Sequence, residues 1–522
     1  MTTYVCASQA EMLALSAGVG DLCARIDLAQ FLELQALPPS TASNWQIVFT
    51  CVTDAIPLQA FGGSPTASPD INTAALMNAA ASGENKIVMG PGTWQFGAGT
   101  TVVDHDGFTL QGSGIGVTIV EMMDSTSGFL QFGAGSTSRV GLTLSDIWFQ
   151  AGTSKTAGYV LVLDNTINVN VQRCREDGFF GILSQINGNL TSLVDVHGTL
   201  ATPNTGKFIS VTGGGSNLML TRVATDGGPG TQPLVGLYVE EFDGIFIANS
   251  QFNRSGNGAV VASPSGAIAQ NIFCVNSSFD TNALNGFEIM NNGGLAQRLW
   301  FSNTWFGTST NNGFMVDAGA QVTGLRFTGC ESCNNGTNGL FFEQAIDNFQ
   351  WIGGHIGGNS TVNSGVWSGI YCAAGTYNNF MVGGGAKIGV GDGFANTQKY
   401  GLETPGATFW QLSLVGNDFS GNLSGAASFG TSTFYDRKIS DNIGLITENA
   451  GVASQAAASG NFTVAHGLSL TPAISDLEAQ PTSDLGAVSK FYINNPTSTT
   501  FQINTAGAPG IPVTWRWSAN IH

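Results

Sequence analysis

Four stretches of the chain align with one another and decide its fold: GIFIANSQFNRSGNGAVVA at 244–262, NIFCVNSSFDTNALNGFEIM at 271–290, RLWFSNTWFGTSTNNGFMVD at 298–317 and LRFTGCESCNNGTNGLFFEQ at 325–344. Asn249, Asn276 and Asn303 follow one another at intervals of 27 residues, and Gly329 takes the same position in the fourth stretch. A repeat of roughly 20–50 residues indicates a solenoid, a propeller or an array of small units.

The pattern inside each copy identifies the kind of repeat. Two short strands with alternating apolar residues flank a turn rich in Asn, Gly and Ser, whereas helical periodicity and the signatures of propeller repeats are absent. We therefore predict an all-β fold, a parallel β-helix in which each coil stacks on the preceding one. Looser copies extend from about Asp106 to Gly451, which corresponds to about thirteen coils spaced by about 4.8 Å. The repeated Asn and Phe side chains are expected to stack as internal ladders.

The overall composition excludes several classes of protein. Glycine accounts for 71 of the 522 residues without the period of collagen, and 42% of residues are hydrophobic, which argues against disorder. The net charge of -18 argues against binding to nucleic acid or to an anionic membrane surface. The sequence has no apolar run of about 18 residues and no secretory signal at its start, so we expect no membrane insertion and synthesis in the cytoplasm.

Composition also divides the chain into segments. Residues 452–462 are rich in Ala, Ser and Gly and are typical of a linker, and residues 71–82 are typical of a helix that caps an open solenoid end. We predict, in chain order, an N-terminal module, the start of the β-helix with its capping helix, the β-helix, a linker and a small C-terminal β-domain: 1–55, 56–105, 106–451, 452–462 and 463–522.

The cysteines give no sign of a metal site. Eight are scattered along the chain, and Cys330 and Cys333 form a lone Cys-x-x-Cys pair. A zinc site would need a second pair or a nearby His, and none follows in the sequence at a suitable spacing. We therefore expect buried free thiols, no metal and no cofactor.

Four regions of the sequence resemble bacteriophage tailspike and tail-fibre proteins whose core is a pectate-lyase-like right-handed β-helix. One region is the repeat, and the others are AEMLALSAGVGDLCARID with FLELQALPPSTASNWQIV, LQAFGGSPTASPDINTAALMNAAASGENKIVMGPGTWQF, and NFTVAHGLSLTPAISDLEAQPT through FYINNPTSTTFQINTA to TWRWSA. The region that begins LQAFGG departs from the family pattern, because the usual paired Asp is reduced to Asp70 and Trp94 stands where Tyr is common. The last region resembles a small β-sandwich found at fibre tips.

The resemblance covers nearly the whole chain and carries several implications. It implies right-handed coils, a homotrimer, and attachment of the N-terminal module to a phage baseplate or tail protein in the virion. It also implies binding of a bacterial surface polysaccharide, whether capsule, exopolysaccharide or O-antigen, with the C-terminal β-domain serving trimerisation or carbohydrate binding. Many members of the family also cleave the polysaccharide, but fold and family alone do not establish cleavage.

Carboxylates on an outward face form the first candidate site. If the first and third residues after the glycine of each second strand point inward, the second and fourth point outward. Asp317 and Glu343 then share one column with carboxylates about 5 Å apart, and Glu288 lies diagonal to Asp317 at about 7–8 Å. These spacings bracket those of retaining and inverting glycosidases, and crowding raises the pKa of one carboxyl, as a general acid requires.

We therefore predict that Glu288, Asp317, Glu343 and, in an earlier coil, Glu240 are catalytic. The favoured arrangement is inverting, with Glu288 opposite Asp317 or Glu343. The alternative is that these carboxylates only keep the rod soluble.

Aromatic residues suggest where a sugar would bind. Tyr238 offers apolar surface for stacking, although an interface between trimer subunits explains an exposed apolar residue equally well. Trp305, Glu331 and His355 form an outward column on the first strands, which suits saccharide binding or plain surface decoration.

Two arginines complete the candidate binding residues. Arg298 and Arg326 lie on the first strands of adjacent coils, where they would bind acidic sugars or neutralise a uronate in a lyase. A lyase of the pectate kind also needs clustered acids for Ca²⁺, and the coils contain no evident cluster of that type.

The sequence thus predicts a phage tailspike that binds a host surface polysaccharide and depolymerises it by glycosidic hydrolysis. Three alternatives stay open: a receptor-binding spike or adhesin without catalysis, a polysaccharide lyase, and a purely structural fibre.

Overall fold

The computed structural model describes residues 55–521 except 136, 200–205, 227–233 and 392. Before residue 55 it describes residue 14 and four strands, which form one sheet in the order Thr3–Cys6, Leu22–Arg25, Gln30–Leu34 and Trp45–Thr50. The first two of these strands are parallel, and the other neighbours are antiparallel. The rest of the predicted N-terminal module lies outside the described residues.

The chain forms two compact units, Met1–Ala283 and Leu284–His522. Both are built from coils of a parallel β-solenoid, about 14 turns in total, with 4% helix. The predicted all-β fold class is therefore confirmed. No helix in the described part of the chain is long and apolar enough to cross a lipid bilayer.

In Met1–Ala283 the coils contribute strands to two faces, and the strands within each face are parallel to one another. The strands of the first face are Ile56–Pro57, Lys86–Val88, Gly92–Phe96, Thr109–Gln111, Thr118–Met122, Arg139–Ser145, Trp148–Ala151, Thr166–Asp177, Asn189–Thr199, Ser216–Asp226, Phe242–Ala248, Gln251–Asn253, Ile268–Val275 and Ser278–Asp280. The strands of the second face are Thr101–Val103, Leu130–Phe132, Leu161–Asp164, Leu183–Ile186, Lys207–Thr212, Val235–Val239 and Asn257–Val261.

The helix Pro69–Ala81 packs against the strands Gly92–Phe96 and Thr101–Val103, close to the predicted position of the capping helix. Proline suits the first helical position because its missing N–H would have no helical partner there. Asn72 is buried, and its Nδ2 donates a hydrogen bond to the Gln95 carbonyl at 3.0 Å. The helix thereby covers strand backbone that an open solenoid end would expose. The two described 3₁₀ segments are Leu58–Phe61 and Ile474–Asp476.

In Leu284–His522 the coils form the same two kinds of face and add a third, shorter one. The strands of the first face are Leu295–Ser302, Trp305–Gly307, Gln321–Thr328, Glu331–Cys333, Asp347–Ile352, His355–Gly357, Phe380–Gly383, Lys387–Ile388, Leu412–Val415 and Arg437–Ser440. The strands of the second face are Phe287–Ile289, Phe314–Val316, Leu340–Phe342, Ile370–Cys372, Tyr400–Glu403 and Gly425–Ser428. The third face consists of Thr376–Tyr377, Thr408–Phe409 and Thr433–Phe434.

The last part of the chain forms two antiparallel three-stranded sheets. The first has the order Glu448–Gln455, Val513–Asn520 and Leu477–Pro481, and the second has the order Asn461–Ala465, Thr500–Thr505 and Phe491–Asn494. Trp515, Phe501 and Ile503 are fully buried among the apolar residues of these sheets. The strand Glu448–Gln455 includes the first residues of the predicted linker 452–462, and the strand Asn461–Ala465 includes its last two, so only residues 456–460 connect the two strands.

Aromatic ladders form inside the coils as expected, but the asparagine ladder is not where the sequence analysis placed it. Phe287 stacks on Phe314 with ring centroids 5.1 Å apart. By contrast, Asn249, Asn276 and Asn303 are exposed and adopt left-handed conformations with φ of 52°, 48° and 47°. The prediction that they stack internally was therefore wrong. Asparagine tolerates this conformation better than most residues, which explains why it recurs at this corner.

Internal amide ladders are formed by other asparagines of the same repeats. The backbone N–H and Nδ2 of Asn312 both donate to Oδ1 of Asn285 at 3.1 Å. The backbone N–H of Asn338 donates in turn to Oδ1 of Asn312 at 3.2 Å. These side chains are buried, and the ladder satisfies polar groups at the turns between strands.

Candidate functional site

The outer surface of the second face in Leu284–His522 carries the predicted carboxylates. The backbone N–H of Asp317 donates to the Ile289 carbonyl, and that of Glu343 donates to the Val316 carbonyl. Asp317 and Glu343 therefore occupy equivalent positions in successive coils, as the repeat predicts. Their strands alternate as expected, because Phe314 and Val316 are buried whereas Met315 and Asp317 are half-buried.

The two carboxylates differ in environment. Burial raises the pKa of the Asp317 carboxyl, a hydrogen bond from the Asn291 backbone lowers it, and the negative charge of Glu343 raises it further. The resulting pKa of the Asp317 carboxyl lies above the ordinary value for an Asp side chain. Glu343 is exposed. The pair thus combines a carboxyl that holds its proton more firmly than usual with an accessible carboxylate.

Aromatic surface lies beside the carboxylates in the adjacent column of the sheet. This column is in register from coil to coil and contains Glu288, Met315, Phe341, Tyr371 and Glu403. Phe341 and Tyr371 are half-buried, and their ring centroids lie 5.3 Å apart with a tilt of 41°. Aromatic side chains of this kind provide the apolar area on which a sugar ring can stack.

Glu288 is less accessible than the sequence analysis expected. It is only 9% exposed, and its carboxylate accepts a hydrogen bond from Nδ2 of Asn285 at 2.9 Å. Asn285 is itself a member of the internal amide ladder, so Glu288 is linked to the interior of the coils.

Tyr371 and Glu403 were not among the predicted site residues. Glu403 accepts hydrogen bonds from Ser368 Oγ and from Lys399 Nζ, both at 2.7 Å. A signal for both residues exists in the sequence, because each follows a glycine and one apolar residue, Gly369-Ile370 and Gly401-Leu402. The same pattern precedes Glu288, so extending it along the chain would have identified them.

The predicted column on the first face is also in register. Trp305 pairs with Glu331, Glu331 with His355, and His355 with Lys387. Lys387 Nζ forms an ion pair with Asp418 at 2.5 Å. Trp305 is half-buried and Glu331 is exposed, but His355 is only 8% exposed.

His355 is surrounded by groups that the sequence analysis did not connect with it. Its Nε2 lies 3.1 Å from the Gly389 carbonyl, and its Nδ1 lies 3.6 Å from Sγ of Cys333. Burial raises the pKa of the Cys333 thiol to about 12. Glu331, Cys333 and His355 bring three possible metal ligands within 4.8 Å of one another.

Tyr238 and Glu240 lie in Met1–Ala283 and bond to each other. The Tyr238 hydroxyl donates to Oε1 of Glu240 at 2.9 Å, and Nζ of Lys207 lies 3.0 Å from the centre of the Tyr238 ring. Burial, together with the hydrogen bond to Glu240, raises the pKa of Tyr238 to about 12. Both residues are half-buried, and Glu240 already has a hydrogen-bonding partner.

The two predicted arginines are exposed on the first face but lie in different columns. Arg326 pairs with Trp300, and its guanidinium lies 5.3 Å from the centre of the Trp300 ring. Arg298 occupies a corner position with φ of 57°. The two side chains therefore do not form one aligned pair.

A further exposed surface, which was not predicted from the sequence, is formed by residues that come directly after strands of the third face. Trp410 and Tyr435 stack in parallel with ring centroids 4.3 Å apart, and they are 50% and 63% exposed. They line a concavity of about 530 Å³ together with four polar residues, Asn378, Asn379, Gln411 and Asp436. Trp410 covers one face of the Tyr435 ring. Because Tyr435 is nevertheless 63% exposed, the opposite face of its ring is open to solvent.

Comparisons with known proteins agree with the fold. No model of a protein family matches the chain, and no curated protein matches it. The tailspike protein of E. coli bacteriophage HK620, solved in complex with a pentasaccharide, is 11% identical; the match covers 92% of this chain and 96% of that chain with a TM-score of 0.54. The tailspike protein gp49 from Pseudomonas phage LKA1 is 12% identical, over 89% of this chain and 99% of that one, with a TM-score of 0.52. The solenoid thus matches a tailspike-like β-helix.

Proposed function

We propose that the chain is a phage tailspike that binds a bacterial surface polysaccharide and hydrolyses its glycosidic bonds at Asp317 and Glu343. The observation that carries the proposal is the pairing of these carboxylates in successive coils, beside the aromatic surface of Phe341 and Tyr371. The fold shared with solved tailspikes, one of them in complex with a pentasaccharide, supports a polysaccharide as the ligand.

The different environments of the two carboxylates suggest their roles. Asp317, with its raised pKa, donates a proton to the glycosidic oxygen as the bond to the anomeric carbon breaks. Glu343 forms an ester bond to that carbon, and a water deprotonated by Asp317 then hydrolyses the ester. Adjacent strands are about 4.8 Å apart, which suits the roughly 5–5.5 Å separation of retaining enzymes, so we expect retention of anomeric configuration.

This assignment differs from the inverting arrangement suggested by the sequence, in which Glu288 was a direct partner. Glu288 is buried and hydrogen bonded to Asn285, so we assign it a positioning role in the column. Inversion of configuration, observed by NMR at the start of the reaction, would favour Glu288 over Glu343 as the partner of Asp317.

The experiment that tests the function is incubation with a panel of bacterial capsules, exopolysaccharides and lipopolysaccharides. Reducing ends and the ultraviolet absorbance of unsaturated uronates are followed together. New reducing ends without new absorbance on at least one substrate are the expected result. A rise in both signals would establish a lyase and direct attention to Arg298 and Arg326.

A receptor-binding spike without catalysis is the second candidate, and the exposed Trp410–Tyr435 stack favours it. Parallel aromatic rings beside amide and carboxylate groups suit the binding of a sugar without cleaving it. Adsorption to a bacterial strain without any release of reducing ends would support this alternative over hydrolysis.

We also propose a homotrimer, with residues 1–55 attaching it to a phage tail protein and residues 463–522 serving trimerisation or carbohydrate binding. The antiparallel sheets near the C-terminus enclose a compact apolar core, which supports an independent role for this domain. A variant that ends before Glu448 should lose its trimeric state in light scattering. A soluble trimer that still binds polysaccharide would contradict the trimerisation role.

A further inference from the structure

Three chemically different ligand groups converge on the first face of Leu284–His522. They are the exposed carboxylate of Glu331, the buried thiol of Cys333 and the imidazole of His355, and their candidate ligand atoms all lie within 4.8 Å of one another. We propose that these residues bind one transition-metal ion of the zinc type. The proposal is independent of polysaccharide hydrolysis, because Asp317 and Glu343 lie on the second face.

The separation of the thiol and the imidazole fits a shared metal ion. Typical bonds from zinc are about 2.3 Å to sulfur and about 2.0 Å to nitrogen, so tetrahedral ligands of these two types lie about 3.5 Å apart. Sγ of Cys333 and Nδ1 of His355 lie 3.6 Å apart. The two atoms already have the spacing that binding would require.

The imidazole is also oriented as a metal ligand should be. Nε2 of His355 lies 3.1 Å from the Gly389 carbonyl, which has no proton to donate, so Nε2 carries the proton of the neutral ring. The unprotonated Nδ1 is then the atom that faces Cys333. Histidines that bind metals commonly hold their second ring nitrogen in such a hydrogen bond to a carbonyl or carboxylate.

The glycine at position 357 leaves space for the imidazole of His355. Gly357 pairs with Cys333 in the next coil, and a Cβ atom at Gly357 would lie 2.3 Å from Nε2 of His355 and 2.3 Å from the Gly389 carbonyl oxygen. Any other residue at position 357 would displace the imidazole. Phe394 packs near His355 with ring centroids 5.7 Å apart and gives the site an apolar cover on one side.

The ligand set identifies the class of ion. Thiolate and imidazole favour zinc and similar transition metals over Mg²⁺ or Ca²⁺, which prefer oxygen ligands. On binding, Cys333 releases its thiol proton to solvent and the metal–sulfur bond replaces the S–H bond. Glu331 supplies the third ligand, and a water molecule takes the fourth position of the tetrahedron.

The competing explanation is a hydrogen bond from the Cys333 thiol to Nδ1 of His355 without any metal. Isothermal titration of the full-length, chelator-treated protein with Zn²⁺ separates the two explanations. We expect one Zn²⁺ per chain, a rise in melting temperature with Zn²⁺, and at least a 100-fold weaker affinity in Cys333→Ser and His355→Ala.

Cys330→Ser is the matched control, because Cys330 is equally buried and belongs to the same Cys-x-x-Cys pair but not to the cluster. It should bind Zn²⁺ like the wild type. Glu331→Gln is the second variant, since Glu331 is exposed and its replacement leaves the fold intact; we expect about a 10-fold or larger loss of affinity.

Co²⁺ provides a readout that a structural role would not produce. A Co²⁺-loaded protein with a cysteine ligand should show a sulfur-to-cobalt charge-transfer band, and Cys333→Ser should lack it. No saturable Zn²⁺ binding by the wild type, or unchanged affinity in all three cluster variants, would overturn the proposal.

Discussion

Asp317 and Glu343 occupy equivalent positions in successive coils, and the negative charge of Glu343 contributes to the raised pKa of the Asp317 carboxyl. Carboxylates that serve only solubility gain nothing from lying this close, because like charges repel when both are ionised. Here the pair lies beside Phe341 and Tyr371 on an accessible face. The electrostatic interaction between the two carboxyl groups and the apolar surface beside them are together the basis of the proposed hydrolysis.

Replacement of Asp317 by Asn tests the electrostatics without any substrate. The folded state holds the Asp317 proton more tightly than the unfolded state, so the wild type loses stability as the pH rises from about 4 through the raised pKa. The amide has no such dependence. We therefore expect the melting temperature of Asp317→Asn, relative to the wild type, to be higher at about pH 7 than at about pH 3.5.

Asp436→Asn is the matched control for this experiment, because Asp436 is exposed. Its melting temperature relative to the wild type should differ little between the two pH values. An Asp317→Asn difference that is equally independent of pH would contradict the raised pKa of Asp317.

The internal amide ladder makes a prediction about stability. Asn312 is buried and bonded to both Asn285 and Asn338, so Asn312→Ala leaves polar groups without partners and should lower the free energy of unfolding by about 1–3 kcal/mol. Asn187→Gly should have little effect, because Asn187 is exposed at φ of 54° and Gly213 takes the equivalent position in the next coil with φ of 73°. Chemical denaturation compares the two variants; equal losses of stability would argue against the ladder.

The stacked pair Trp410 and Tyr435 makes a prediction about adsorption. If this surface contacts a sugar, Trp410→Ala and Tyr435→Ala should each weaken binding to the target polysaccharide about 5- to 100-fold while the initial rate of cleavage at saturating polysaccharide is unchanged. Phe246→Ala is the control, since Phe246 is 43% exposed and stacks on Phe273 with ring centroids 5.2 Å apart, outside the proposed binding surfaces. Surface plasmon resonance on immobilised polysaccharide measures the effect, and wild-type affinity in both variants would exclude the surface as a binding site.

The repeat period was sufficient to predict the fold and the column of carboxylates. Residues 27 or 26 positions apart meet in space because parallel strands keep one register through successive coils, and this placed Glu343 beside Asp317. Tyr371 was missed because the coil that contains it is longer: Ile370 pairs with Leu340, 30 residues earlier. The glycine that precedes each strand persists through this irregularity and is the better guide to register.

The repeat period did not predict two other features, because they depend on backbone conformation and on contacts between adjacent coils. Asn249 was expected to point inward because it recurs, but it recurs for its backbone conformation at an exposed corner. Cys333 was judged to lack a histidine partner because none lies close in the sequence, whereas His355 follows 22 residues later in the adjacent coil. Residues that meet in adjacent coils are separated by about one coil length, so a histidine far along the sequence can lie beside Cys333.

The most direct test of the central claim is the hydrolysis of a bound polysaccharide by Asp317→Asn and Glu343→Gln, with Glu84→Gln, an exposed residue outside the site, as the control. The release of reducing ends and the binding affinity are measured on the same substrate. We predict that each site variant releases reducing ends at least about 100-fold more slowly than the wild type while its affinity and oligomeric state are unchanged. Wild-type rates in both site variants would contradict the assignment of hydrolysis to this pair.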